Sequence, residues 1–339
     1  NELPDLGDSS QLIISAKEEQ AIAKAILKEV AVSPEIVQDI EVIDYLRNLG
    51  DRLVAYSPNK RQQFNFFVVN ESSINAFAML GGVIGVHTGL ILASNSESEV
   101  ASVLGHEIAH VTQRHLPRMI AQQKNDSIKT VLGIALALLV ARANPQLSAG
   151  TMTAASAMGV QKQLDYTREH EKEADRVGFQ ILTDAGFDGR SMVSFFNTLQ
   201  RGSRFSEGAA PSFLRTHPIT TDRISDISNR VKESRYRQIP DNPDFIFIKS
   251  KLRASNGTPQ SAVDEFEGSI KDKRYMNEAS ERYGLAIAYM RKSDFAKARQ
   301  EVEWLKTNTK KNALIETLGC KLEVSTNQPV QALNHYLKA

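Results

Sequence analysis

The sequence predicts an α+β protein that is mostly helical, with a small β-sheet in a first domain and a wholly helical second domain. Apolar residues recur at helical spacing over most of the chain. Two short stretches instead have strand character: Phe64 to Val69 is aromatic and β-branched, and Val83 to His87 follows the turn signal Gly81-Gly82. At 339 residues the chain exceeds one typical domain, which favours two.

Composition narrows the class of protein. Hydrophobic residues make up 41% of the chain and charged residues 24%, which describes a soluble globular protein with ample core. The net charge of +1 gives no indication of nucleic-acid binding. A single cysteine, Cys320, excludes an intramolecular disulfide and a cysteine-based metal site. Because the chain starts at Asn1 without an initiator Met, we expect that a signal peptide has been removed.

The segment His106-Glu107-Ile108-Ala109-His110 is the most informative in the chain. Residues four apart on a helix differ by about 40° in azimuth, so His106 and His110 project from one face and can hold one metal ion. Glu107 lies about 100° from His106, near enough to take a proton from water without ligating the metal. Catalytic zinc takes imidazole and carboxylate ligands, so the motif predicts one Zn²⁺ per chain. The alternative is a surface helix with two unrelated histidines.

Capping residues and a proline predict where the helices around this motif begin and end. Ser15 to Glu18 forms a predicted capping box that opens a helix, and Ser33-Pro34 predicts the start of a second. Ser96 to Glu99 is another predicted capping box, which opens the metal helix, and Pro117 is expected to kink or end that helix. His115 is then expected to face away from His106, so we exclude it as a ligand.

A later segment, Arg168 to Gly178, has helical composition and supplies candidates for the remaining ligand. Glu171 and Asp175 share one face of this helix, Gly178 allows close packing beneath them, and Glu173 points away. Glu171 can therefore complete a two-His, one-Glu zinc site, with Asp175 orienting a ligand imidazole. The alternative is a charged, solvated helix face.

HEIAH at 106–110, followed by EKEAD at 171–175, resembles the gluzincin-type metallopeptidase family of the CAAX prenyl proteases and the HtpX-type quality-control proteases. The 60 residues between these motifs suit that family. Ile74 to Ala78 and Thr216-His217-Pro218, with Arg223 after them, also match. The resemblance is strongest to the periplasmic β-barrel assembly-enhancing members, which carry tetratricopeptide repeats after the peptidase domain, and it covers nearly the whole chain.

The resemblance implies roles for two residues outside the zinc motif. Pro218 holds His217 in extended backbone, from which it would stabilise a tetrahedral oxyanion or bind zinc itself and make the enzyme latent. A structural histidine is the alternative. Arg223 would orient substrate or pin the loop.

The strand Val83 to His87 is a candidate site for peptide substrates. As an edge strand it would hold an extended peptide beside the zinc, whereas the alternative is an ordinary hairpin packed on the metal helix. Together with the matching stretch before Gly81, this gives the candidate substrate-binding residues Asn75, Ala76, Phe77, Val83, Ile84, Gly85 and Val86.

Between the two metal motifs the chain is alanine-rich and apolar, at about residues 127–163. Its longest apolar stretch, Val131 to Ala141, is shorter than the roughly 20 residues needed to span a bilayer. Two interpretations stay open: a buried helical hairpin, or a mobile lid that covers the active site and touches a membrane surface.

The C-terminal third has the pattern of a helical repeat. We expect a peptidase domain at 1–236, a linker, and a tetratricopeptide-repeat domain at 244–339. Ala286, Tyr289 and Ala298 keep the repeat's small-Tyr-small spacing, Ala262 holds the corresponding small position of an earlier helix pair, and Ala332 follows 34 residues after Ala298. Stacked pairs of this kind present a concave face to peptides or partner proteins. A plain helical bundle is the alternative.

Two functions from different classes follow. The first is a periplasmic zinc endopeptidase for misassembled outer-membrane proteins, whose repeats bind substrate or dock on the assembly machinery. The second is a chaperone or scaffold for envelope proteins with a latent or structural zinc site. Glu107→Gln separates them, because it abolishes the function of a protease and spares that of a scaffold.

Overall fold

The computed structural model describes residues 14–122, 167–205, 212–234, 240 and 242–328, with 331, 333, 335 and 337. The predicted lid at 127–163 and Ala332 lie outside these residues. The chain forms two compact units, Asn1–Pro240 and Asp241–Ala339, which divide within the segment that the sequence indicates as a linker. In the described part of the chain, no helix is both long enough and apolar enough to cross a membrane.

The first unit is mostly helical with one small sheet, which confirms the predicted fold class. Its described elements are, in chain order, α1 Ala16–Val32, α2 Ile40–Val54, β1 Asn65–Val69, β2 Ala76–Met79, β3 Val83–His87, α3 Thr88–Ala93, α4 Glu97–Thr112, α5 His115–Gln122, α6 Arg168–Asp184, α7 Arg190–Phe205, α8 Ser212–Thr216 and α9 Thr221–Glu233.

The sheet contains three strands in the order β1-β3-β2. β3 pairs in parallel with β1 and antiparallel with β2, so it is the central strand. The edge-strand alternative for Val83 to His87 is therefore wrong. The strand does form a hairpin, with β2, and the predicted strand at Phe64 to Val69 is its parallel neighbour. Gly81 and Gly82, at φ 72° and 80°, turn the chain from β2 into β3. The glycine pair signalled a turn, but the strand before it was missed.

Helix ends follow their capping residues only in part. Ser15 and Glu18 form the predicted capping box of α1. α2 begins at Ile40, later than predicted, because the Asp39 side chain accepts the backbone N–H groups that start it. At α4, Ser96 caps Glu99 N–H as predicted, but the Glu99 carboxylate bonds instead to the backbone N–H of Asn95 at 2.7 Å.

The metal helix α4 is buried along most of its length and packs against α6. The two helices are in tight contact at Gly105 and Gly178, where a Cβ on Gly178 would lie 2.9 Å from the backbone nitrogen of His106. This contact brings the two predicted motifs together, and the helical placement of both is confirmed.

The break after α4 is not at Pro117. α4 ends at Thr112, and Arg114 turns the chain with φ 55° before α5 starts at His115. Pro117 lies in the first turn of α5, where a missing N–H costs little. His115 is therefore not on the metal helix, and the expectation that it faces the opposite side of that helix is wrong.

The described part of the second unit consists of five helices, α10 Pro243–Ser255, α11 Pro259–Lys271, α12 Glu278–Arg291, α13 Phe295–Asn308 and α14 Ala313–Ser325. The first, third and fifth helices begin 35 residues apart, at 243, 278 and 313. Ala262, Ala286 and Ala298 are buried in the core between the helices. Small side chains at these positions let neighbouring helices approach closely.

Candidate metal and active site

Four side chains from three parts of the first unit meet in its interior. The ligand atoms of His106, His110, Glu171 and His217 all lie within 4.8 Å of one another, and all four residues are buried. His110 Nε2 lies 2.9 Å from His106 Nε2, and His217 Nδ1 lies 2.9 Å from Glu171 Oε1. α4 supplies the first two, α6 the third and the loop after α8 the fourth.

Two further separations fit a small four-coordinate cation. His106 Nε2 lies 3.3 Å from His217 Nδ1, and His110 Nε2 lies 3.3 Å from Glu171 Oε1. In a tetrahedral site with metal-ligand bonds of about 2.0–2.1 Å, neighbouring ligand atoms are roughly 3.3 Å apart. Three imidazoles and one carboxylate are also donors that zinc accepts.

Charge balance gives a second test of the metal site. The carboxylates of Glu107, Glu171 and Asp175 are buried together with a single guanidinium, that of Arg223. With all the imidazoles neutral, as they are when they ligate a metal, the cluster holds a formal excess of two negative charges, which a divalent cation would balance in a region that solvates charge poorly. The residues present therefore fit a divalent metal ion.

His106 is oriented by a carboxylate behind it. Its Nδ1 lies 2.9 Å from Asp175 Oδ1, and Arg223 donates from Nε and Nη2 to the two oxygens of Asp175. Burial alone would raise the pKa of Asp175, but Arg223 outweighs it and holds that pKa below its usual value. Burial alone would likewise lower the pKa of His106, yet Asp175 and Glu171 raise it to about 10. Metal binding would therefore release a proton from His106.

His110 has different surroundings. Burial lowers its pKa well below the usual value, and the neighbouring imidazole of His106 acts in the same direction. His110 is thus neutral and can offer a nitrogen lone pair. Its Nδ1 lies 2.9 Å from Nδ1 of His115.

Glu107, the predicted base, is fully buried beside the four ligands. Its Oε1 lies 3.5 Å from Nε2 of His217. Neither carboxylate oxygen of Glu107 has a hydrogen-bond partner among the residues that the structure describes. Its place beside the ligands, with both oxygens unoccupied by donors from the described residues, suits a proton acceptor.

Comparison with known proteins decides the family. The model of peptidase family M48 matches residues 43–231, a span that includes all of these residues. The chain belongs to peptidase family M48.

Curated relatives of this M48 peptidase extend the similarity beyond the family span. The beta-barrel assembly-enhancing protease of Escherichia coli K12 is 31% identical over 343 positions, which cover 99% of this chain and 69% of that protein. A Vibrio cholerae protein with the same name, given provisionally, is 36% identical over 88% of this chain and 62% of its own length. The mitochondrial metalloendopeptidase OMA1 of Arabidopsis thaliana is 33% identical over 44% of this chain and 28% of its own.

In this M48 peptidase, His217 is held by its own loop. Its ring stacks on that of Phe213 with a centroid distance of 4.5 Å, and its backbone N–H donates to the backbone carbonyl of Phe213. Arg223 is buried, lies 2.7 Å from Glu171 Oε2 and donates to the Pro218 carbonyl at 2.8 Å. Arg223 thus ties the His217 loop to the carboxylates of Glu171 and Asp175.

The candidate substrate-binding residues separate into two groups. Val83, Ile84, Gly85 and Val86 are buried in the central strand, paired on both sides. Asn75, Ala76 and Phe77 lie at the start of β2, which is one edge of the described sheet. Phe213 N–H donates to the Ile74 carbonyl at 3.2 Å, so this end of β2 lies beside the metal ligands.

Two residues that the sequence analysis set aside, His115 and Glu173, lie near the site. His115 contacts His110, and Glu173 accepts from His115 Nε2 at 3.0 Å. The turn at Arg114 that places His115 there has no glycine or proline signal. Two histidines five residues apart, followed by a helix with an unassigned glutamate, are the signal that could have found them.

Proposed function

We propose that this M48 peptidase is a periplasmic zinc endopeptidase that hydrolyses misassembled outer-membrane proteins. The observation that carries the proposal is the buried His106, His110, Glu171 and His217 cluster beside the unpartnered carboxylate of Glu107. The names of the relatives support the substrate class, since they describe proteases that enhance β-barrel assembly.

In this proposal each residue has a distinct task. His106, His110 and Glu171 would hold zinc, and a bound zinc ion would lower the pKa of its water and polarise a peptide carbonyl. Glu107 accepts the proton of the attacking water and returns it to the leaving amine. Asp175 keeps Nδ1 of His106 protonated, so that Nε2 presents its lone pair to the metal.

His217 decides between a resting and an active enzyme. With its Nδ1 among the ligand atoms and its Nε2 facing Glu107, its imidazole fills both the fourth ligand position and the space beside the base. We favour latency: His217 withdraws when substrate enters. The oxyanion role remains the alternative, because a withdrawn His217 would still lie near the carbonyl oxygen.

The substrate strand is proposed to pair with β2 instead of β3. Asn75 and His87 form a hydrogen-bonded pair, so by alternation the backbone N–H and C=O of Phe77 and Met79 also face β3. Those of Ala76 and Ala78 point away from β3, to the outer side of the described sheet. The buried Oδ1 of Asn75 has no hydrogen-bond partner among the described residues and can accept a peptide N–H. Val83 to Val86 are not part of this edge.

The second unit is proposed to be a tetratricopeptide-repeat domain that docks substrate or the outer-membrane assembly machinery. The 35-residue interval between its helices and their buried alanines support this assignment. A scaffold or chaperone with a latent zinc site is the second candidate, favoured by the filled fourth ligand position.

The test measures zinc by mass spectrometry and casein cleavage on wild type, Glu107→Gln and Glu171→Gln. We expect wild type to contain about one zinc per chain and Glu171→Gln to bind zinc more weakly. Glu107→Gln should retain zinc but lose cleavage. Zinc without cleavage in any variant, including His217→Ala, would favour the scaffold. An absence of metal would refute the proposed site.

A further inference from the structure

His115 and Glu173 form a hydrogen-bonded chain behind one metal ligand. Nδ1 of His115 lies 2.9 Å from Nδ1 of His110, and Nε2 of His115 lies 3.0 Å from Glu173 Oε2. His115 is completely buried, whereas the Glu173 side chain is 39% exposed. A buried imidazole thus connects a ligand histidine to a carboxylate near the surface.

The ring of His115 is fixed from two further directions. The ring of His170, on α6, stacks on it with a centroid distance of 4.5 Å and an interplanar angle of 24°. Arg118, on α5, lies 3.2 Å from the same Glu173 oxygen and holds that carboxylate in place. The orientation of His115 is therefore set by both helices that pack around it.

Counting protons shows which group donates in each hydrogen bond between His110, His115 and Glu173. A carboxylate only accepts hydrogen bonds, so Nε2 of His115 carries the proton that it shares with Glu173. A neutral imidazole has no second proton, which leaves Nδ1 of His115 as an acceptor. Nδ1 of His110 must then be the donor, and Nε2 of His110 keeps its lone pair toward the metal cluster.

The two ligand histidines of α4 are thus supported differently. His106 faces a buried carboxylate, Asp175, which a buried arginine neutralises. His110 faces a neutral imidazole, and the negative charge lies one ring further away on Glu173. One helix, α6, supplies both carboxylates as well as the ligand Glu171.

We propose that His115 is a positioning residue that fixes the ring tautomer of His110 for metal binding, with Glu173 fixing the tautomer of His115 in turn. The inference rests on the proposed zinc site. Partners behind a ligand histidine typically contribute 10–100-fold to metal affinity, so the effect is measurable without any assay of proteolysis.

The experiment compares His115→Phe with His115→Asn. Phenylalanine keeps the flat ring that stacks on His170 but loses the acceptor, whereas asparagine loses the ring and places an amide oxygen near the position of Nδ1. Zinc affinity is measured by competition with a chromophoric chelator on apo full-length protein. We expect about a 10–100-fold loss for His115→Phe and a clearly smaller loss for His115→Asn.

A purely packing role for His115 predicts the reverse order, because phenylalanine would preserve the stacking. Equal affinities for wild type and His115→Phe, or a weaker His115→Asn, would overturn the inference. If wild type itself binds no zinc, the proposed function fails as well, and this result is distinguishable from the others.

Glu173→Ala and Glu169→Ala are a matched pair of variants that test the role of the Glu173 carboxylate. Both remove one negative charge from the start of α6, and Glu169 is exposed. We expect weaker zinc binding only for Glu173→Ala. Nitrogen NMR on ¹⁵N-histidine protein, which has seven histidines, reports the tautomers directly. His110 should hold its proton on Nδ1 in wild-type apo protein and become a tautomer mixture in His115→Phe; an unchanged tautomer in that variant would overturn the inference.

Discussion

Arg223 and Asp175 form a bidentate ion pair beneath the metal ligands, with distances of 2.6 Å from Nε and 2.7 Å from Nη2 to the two carboxylate oxygens. Both side chains are almost completely buried. The pair connects α9 to α6 and stands directly behind His106. It therefore contributes to the stability of the fold as well as to the geometry of the site.

Replacing Arg223 with Gln should strongly destabilise the first unit. The change leaves Asp175 and Glu171 buried without the guanidinium that bonds to both, and breaking a buried pair of this kind costs about 3–5 kcal/mol. Urea unfolding of apo protein measures the loss. Arg230→Gln is the control, because it breaks an ion pair with Asp226 in which the two side chains are 38% and 30% exposed. The loss of this exposed pair should lower the free energy of unfolding by about 1 kcal/mol or less. Similar losses in both variants would contradict the assignment.

Gly178→Ala should destabilise the protein and weaken metal binding together. The new Cβ would lie 2.9 Å from the backbone nitrogen of His106 and 3.0 Å from Gly105, so α6 must move away from α4. Overpacking of this kind costs about 1–3 kcal/mol and displaces Glu171 from the two histidines. Thermal melting and zinc competition measure the two effects.

Gly268→Ala, in the middle of α11, is the matched control. Among the described residues, its new Cβ would come within 4 Å only of the flexible end of Arg274, at 3.7 Å. Alanine favours a helix over glycine by about 0.5–1 kcal/mol, so this variant should be neutral or more stable. The same loss at both glycines would mean that the contact between α4 and α6 is not tight.

Local periodicity predicted the metal helices correctly, because the spacing of His106, His110 and Glu171 on their helices depends only on helix geometry. The order of the strands did not follow from the sequence, since β3 gains its second partner from β2, a stretch with few strand signals. Likewise, the turn at Arg114 is imposed by tertiary contacts, among them the ion pair between Arg114 and Glu19 at 2.7 Å. Inferences from periodicity within α4 and α6 therefore held, whereas the order of the strands and the end of α4, which depend on contacts between distant residues, could not be predicted.

Pairing of substrate with β2 predicts an alternating sensitivity to N-methylation of a peptide substrate. Methyl groups on residues whose N–H would reach Ala76 or Ala78 should lower kcat/KM about fivefold, the value of one hydrogen bond near 1 kcal/mol. Methyl groups on the intervening residues should be tolerated. Cleavage of a methylated series by the enzyme measures the pattern, and equal effects at consecutive positions would exclude an added strand.

His217→Ala should raise proteolysis if His217 keeps the enzyme latent. Three ligands remain to hold zinc, and removal of the imidazole frees both the fourth position and the space beside Glu107. If about a tenth of the resting enzyme has His217 withdrawn, the variant gains about tenfold in casein cleavage. Zinc content measured on the same samples separates a gain in activity from a change in metal loading.

The double variant Glu107→Gln/His217→Ala is the control for this gain. Because Glu107 is the proposed base, the double variant should retain zinc and lose cleavage, which locates the released activity at this site and excludes a contaminating protease. Loss of cleavage in His217→Ala alone, with zinc retained, would instead assign His217 to the oxyanion and refute latency. The two roles differ in sign, so a single rate comparison at matched zinc content decides between them.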